Sequence, residues 1–110
     1  MSGPISVDDI LKLKREVIPA VVFDAINHLL AERFNGHSAT VKQREIVDKI
    51  VEFLKVPEDK IQDKIREIYN KHWLDVEDLY REQGWIVRYD KPGYNESYDA
   101  FFEFSVKHKN

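Results

Sequence analysis

Val21, Val22, Ala25, Ile26, Leu29, Leu30 and Phe34 return at steps of three and four, which lays one broad apolar stripe along a helix running to about Arg33. Upstream, Ser6 with Asp9 three positions on is a relative of the capping box, so a helical turn starts at Val7 and carries Ile10, Leu11 and Leu13. Pro19 has no amide proton and clashes with a preceding turn. It places a break near Val17 and Ile18 and itself enters the first turn of a second helix. Gly36 is the expected left-handed stop. Ser38 and Thr40 then stand as caps, Thr40 with Gln43 at capping-box spacing, for an amphipathic helix bearing Ile46, Val47, Ile50, Val51 and Leu54. Pro57 ends that helix and opens another, on which Ile61, Ile65, Ile68 and Tyr69 keep the period. Residues 58–83 fit either one bent helix or two, with a joint at residues 70–73 and Asp75 as a candidate cap, and Gly84 closes the run.

After Gly84 the period becomes two. Trp85, Val87 and Tyr89 alternate with Ile86, Arg88 and Asp90, and Tyr98, Ala100, Phe102, Phe104 and Val106 alternate with Asp99, Phe101, Glu103 and Ser105. Pro92 and Gly93 are a natural central pair for a type II turn between the two runs. The pattern predicts an antiparallel β-hairpin, residues 85–90 against about 98–105. A solitary hairpin is marginal in water, so Trp85, Tyr89, Phe102 and Phe104 are expected to face the helices. The fold class is α+β: three to five N-terminal helices followed by a C-terminal antiparallel hairpin packed on them. One domain is expected over 1–110, with an ordered core of about 7–106 and residues 107–110 trailing into solvent.

Composition narrows the classes of function. Of 110 residues, 43% are apolar and 34% charged, enough to close one core and too little chain for two. The absence of cysteine removes disulfides, thiolate nucleophiles and cysteine-based zinc sites and fits a reducing cytoplasm. No signal-peptide pattern opens the chain and no uncharged run reaches membrane-spanning length, so a cytoplasmic protein with no membrane partner is expected. The glycines at 3, 36, 84 and 93 are too dispersed for a phosphate-cradling loop. His28, His37, His72 and His108 lack metal-ligand spacing, so neither a metal nor another cofactor is expected. His37 beside Ser38 has no orienting carboxylate. Asp75, Glu77, Asp78 and Glu82 read as a helix start and a solvated face rather than as paired acids for proton transfer. The chain is expected not to be an enzyme.

Two resemblances extend this reading. The order helix, short cap segment SAT, helix, helix, strand, loop, strand is similar to the winged-helix arrangement, with TVKQREIVDKI as the second helix and DKPGYNES as the wing. Separately, FDAINHLLAERFNGHSATVKQREIVDKIV together with HWLDVEDLYREQGWIVRYDKPGYNESYDAFFEF resembles a family of small accessory proteins encoded by tailed bacteriophages, most distinctively in GWIVRYDKPGYNESY. That family carries no assigned chemistry. The resemblance implies phage origin and a host bacterial cytoplasm, and assigns no residue a role.

Aromatic and charged residues then select the partner. Tyr94 in the loop, and Ile86 and Phe101 on the hairpin face opposite the helices, fall outside the predicted core. They are the expected contacts for a host or phage protein, or for a second copy of the chain. Lys42, Arg44 and Lys49, with Arg88 and Lys91 from the hairpin, are the alternative: a nucleic-acid surface on a winged-helix-like protein. Residues 72–84 carry one arginine against four carboxylates, a net −3, whereas residues 36–56 reach only +1. A helix leading into the hairpin with that sign repels phosphates, so a non-enzymatic protein-binding module is the primary expectation.

Overall fold

A computed structural model describes residues 4–107. Ser6 Oγ accepts from the Asp9 amide at 3.1 Å and starts α1, Val7–Val17. Ile18 is extended and Pro19 precedes α2, Ala20–Arg33, which buries Val22, Ala25, Ile26, Leu29 and Leu30. The break is where Pro19 requires it. The stop of α2 is not at Gly36, because Phe34 is already extended. Gly36 (φ +99°) instead serves the following turn, in which Asn35 Oδ1 accepts from the amides of His37 and Ser38, both at 2.9 Å.

That turn leads into the main departure from the sequence reading. Residues 38–42 are not a cap segment but a strand, β1, Ser38–Lys42, with Ala39 and Val41 buried. Two alternating apolar residues are too short a signal to outweigh Ser38 and Thr40 as cap residues. The partner strand makes the difference. The capping box consequently moves two residues on: α3 is Gln43–Leu54, and Glu45 accepts from the Lys42 amide at 3.0 Å. Lys55 turns left-handed (φ 53°) to end α3, and Pro57 precedes a 3-10 turn, Glu58–Lys60, that feeds α4, Ile61–Asn70. Of the two alternatives for residues 58–83 the second holds: two helices, the first entered through that 3-10 turn and the second beyond a connection at residues 71–76. His72, also left-handed (φ 56°), lies in the connection to a short α5, Glu77–Glu82, whose start takes no side-chain cap.

Gly84 (φ +103°) turns the chain into β2, Trp85–Asp90, and the last strand is β3, Phe101–Val106. The antiparallel sheet has the order β1-β3-β2, with Val41 opposite Phe102 and Val87 opposite Phe104. The hairpin is present but β3 starts later than position 98. Tyr98 is held outside the ladder, its hydroxyl donating to Asp90 Oδ1 at 2.6 Å and to the Lys91 carbonyl at 2.8 Å. The turn closes two residues later than expected, with Tyr94 and Asn95 rather than Pro92 and Gly93 at its centre: the Glu96 amide donates to the Gly93 carbonyl, and the Glu96 carboxylate accepts from the Gly93 amide, both at 3.1 Å.

Phe102 and Phe104 are buried with Ile26, Val41, Ile46, Ile50, Ile68 and Val76 in one core shared by the sheet and the helices. Trp85 is half-buried and Tyr89 is 40% exposed, so the expected inner face is only partly core. β2 is an edge strand, and its side chains are covered from one side only. Both edges of the sheet carry an arginine on a main-chain carbonyl: Arg33 donates to Thr40 at 3.5 Å and Arg81 to Val87 at 2.7 Å. Each contact occupies one outward main-chain acceptor of its edge.

Candidate functional site

Pairing places three rows on the sheet face turned away from the helices: Ser38, Ser105 and Ile86; Thr40, Glu103 and Arg88; Lys42, Phe101 and Asp90. Ile86 and Phe101 therefore share the face expected of them, but the Arg88 row separates them by about 13 Å along the strands. Ile86 is 51% exposed. Phe101 is half-buried, with the Arg88 guanidinium 5.7 Å from its ring centroid and the Tyr98 ring at 6.1 Å. Tyr94 projects wholly into solvent from the turn of the connecting loop. Tyr98 carries a hydroxyl whose pKa is pushed up to about 12 by its bond to Asp90.

The candidate phosphate contacts are mostly neutralised. Lys42 and Arg44 share Asp99 at 3.7 and 3.6 Å, Lys49 takes Glu52 at 3.0 Å, and Arg88 takes Asp90 at 3.2 Å and Glu103 at 3.5 Å. Lys42 and Arg88 flank β3 on one face, and Asp99 brings Arg44 beside Lys42. Lys49 stands apart, its ammonium 5.8 Å from the Phe53 ring, which meets His28 of α2 edge-on. Lys91 is exposed in the loop and contributes its carbonyl to Tyr98.

A second surface was not singled out by the sequence. Gln43 of α3, Tyr69 at the end of α4, His72, Leu74 and Asp75 of the connection, Glu77 of α5 and Tyr89 of β2 line an open cleft of about 310 Å³, floored by Ile68 and Phe102. The Tyr89 hydroxyl donates to Gln43 Oε1 at 2.7 Å. Burial pushes the Glu77 carboxyl up, with the neighbouring Asp75 adding to the effect, and burial likewise raises Tyr89, with Tyr69 and Glu77 contributing. Asp75 and Glu77 were visible as close carboxylates, but Tyr69 and Tyr89 read as positions in two different periodic patterns. Nothing local marks them as neighbours.

His37 lies in the turn before β1 and Ser38 opens the strand on the outer face. His28 sits with Glu32 at 3.3 Å, away from the His72 cleft, and His108 lies outside the described residues. Among the described residues no group of three or more histidine, aspartate or glutamate side chains is placed to hold a metal ion, and no helix is long and apolar enough to cross a membrane. Compared with family models, with curated proteins and with solved structures, the chain matches none.

Proposed function

We propose that this chain is a non-enzymatic, phage-type accessory module that binds a host or phage protein in the bacterial cytoplasm through the outer sheet face and the 91–100 loop. The observation that carries this reading is the pairing of charge there. Lys42, Arg44 and Arg88 are each held by Asp99, Asp90 or Glu103, while Tyr94 and Ile86 are left to solvent. A surface built to neutralise phosphates leaves its cations unpaired, since counterion release supplies most of that affinity. Exposed aromatic and branched apolar groups are instead the usual anchors of a protein contact. Occupying or redirecting a partner's surface is the activity that follows.

The strand order β1-β3-β2, with helices before and between the strands, favours one second reading: a winged-helix-like nucleic-acid binder using Lys42, Arg44, Lys49, Arg88 and Lys91. One pair of measurements separates the two. A photo-crosslinking residue at position 94 should give a discrete adduct in bacterial cells, and one at exposed Lys60 none. Titration with mixed-sequence DNA should give no binding at physiological salt. DNA binding that persists at that salt and is lost in Lys42→Glu, with no adduct at position 94, overturns the protein-partner reading.

A further inference from the structure

We propose that the cleft between α4, the 71–76 connection and β2 receives a single cationic side chain, ammonium or guanidinium, presented by a protein. It rests on the protein-partner reading only for the source of the cation; the site stands on its own geometry. The walls are the rings of Tyr69 and Tyr89, the floor is Ile68 and Phe102, and Glu77 with Asp75 lies on one side. An apolar floor accepts a methylene stem, the carboxylates take the charge, and tyrosine faces attract a cation from the side.

Charge accounting identifies the guest. Asp75 is met at 3.5 Å by Lys14 from α1, which also reaches Asp78 at 3.6 Å. Glu77, half-buried, takes part in none of the ion pairs formed among the described residues; Asp75 and Asp78 beside it disfavour its ionisation, and Arg81 offsets part of that. Arg81, the nearest basic residue on α5, is turned to Asp78 at 3.0 Å and to the Val87 carbonyl at 2.7 Å. The hydroxyl of Tyr89 is occupied by Gln43, which fixes the ring as a wall. The cleft therefore offers one carboxylate without an ion-pair partner beside an apolar slot of about 310 Å³, room enough for one side chain. An anionic or neutral guest leaves Glu77 without an ion-pair partner.

The test uses N-acetyl-arginine amide and its uncharged analogue N-acetyl-citrulline amide, each titrated into the full chain while NMR follows Tyr69, Leu74 and Tyr89. The arginine derivative should shift these three signals to saturation in the millimolar range, and the citrulline derivative should bind at least about tenfold more weakly. Glu77→Gln should lose about the same factor while its melting temperature holds or rises. A short peptide with one central arginine between apolar residues should bind more tightly than the amide. Equal response to the two derivatives, shifts confined to the outer sheet face, or undiminished binding by Glu77→Gln overturns the site. A peptide no better than the amide overturns the protein as source, whatever the crosslink at position 94 reports.

Discussion

Arg33 and Glu45 form a two-pronged pair that ties the end of α2 to the start of α3, with Nη1 at 2.6 Å from Oε1 and Nη2 on Oε2. The guanidinium, aided by the Lys42 amide, lowers the Glu45 pKa to about 2. A folded-state value below the unfolded one means stabilisation that is complete above the ordinary carboxylate range and lost as pH falls through it toward 2. Glu45→Gln should therefore cost about 1–2 kcal/mol at pH 7 and almost nothing near pH 2, measured by urea denaturation at both. Glu77 has the opposite sign. Its raised value makes ionisation unfavourable in the folded chain, so Glu77→Gln should be more stable than the parent at pH 7 and equal to it below the ordinary carboxylate range. A variant less stable at pH 7 contradicts this direction. Among the aromatics, Phe102 is 2% exposed and Tyr94 fully so. Phe102→Ala should cost roughly 3–5 kcal/mol, half-buried Trp85→Ala less, and Tyr94→Ala under about 0.5 kcal/mol. Equal effects at all three exclude this burial pattern.

The elements differ in how firmly they are held. α1 buries only Leu11 along its length, while Val7, Ile10, Leu13 and Val17 remain exposed. Its other ties are Lys14 to Asp75 and Asp78 and Arg15 to Glu82 at 3.2 Å, surface pairs worth about 0–1 kcal/mol each and weakened by salt. A helix of 11 residues is marginal by itself. Amide hydrogen exchange should be faster in α1 than in α2, and added salt should widen the difference. Equal protection in the two helices at low and high salt excludes an electrostatically held α1. β1 is held differently, because Val41 is fully buried against β3 and Arg33 occupies its outer carbonyl edge. It belongs to the core although it is short.

One apolar cluster joins residues from α1 to β3, and polar contacts cross it as well. The Tyr80 hydroxyl of α5 donates to Asn27 Oδ1 of α2 at 2.7 Å, and its ring meets Phe104 edge-on at 5.3 Å. With helices and sheet sharing that cluster, thermal melts followed by helix ellipticity and by tryptophan fluorescence should coincide, α1 apart. Separated midpoints contradict the single core.

The helices were legible in the amino-acid order because a 3.6-residue stripe, Ser6 at a cap and Pro19 at a break act within a few residues of themselves. The hairpin was legible for the same reason: alternation in residues 85–90 and 98–106 is local. β1 was not, since Ala39 and Val41 alone carry the alternation, and only the unpaired edge of β3, some sixty residues later, makes a strand of them. The facing of Ile86 and Phe101 was predicted, but not the Arg88 row that separates them or the carboxylates that neutralise Lys42, Arg44 and Arg88. Ladder register assigns those neighbours. The cleft is the extreme case, because Gln43, Tyr69, Glu77 and Tyr89 come from four elements. Periodicity can tell which face of an element is buried; packing between elements decides which exposed residues meet.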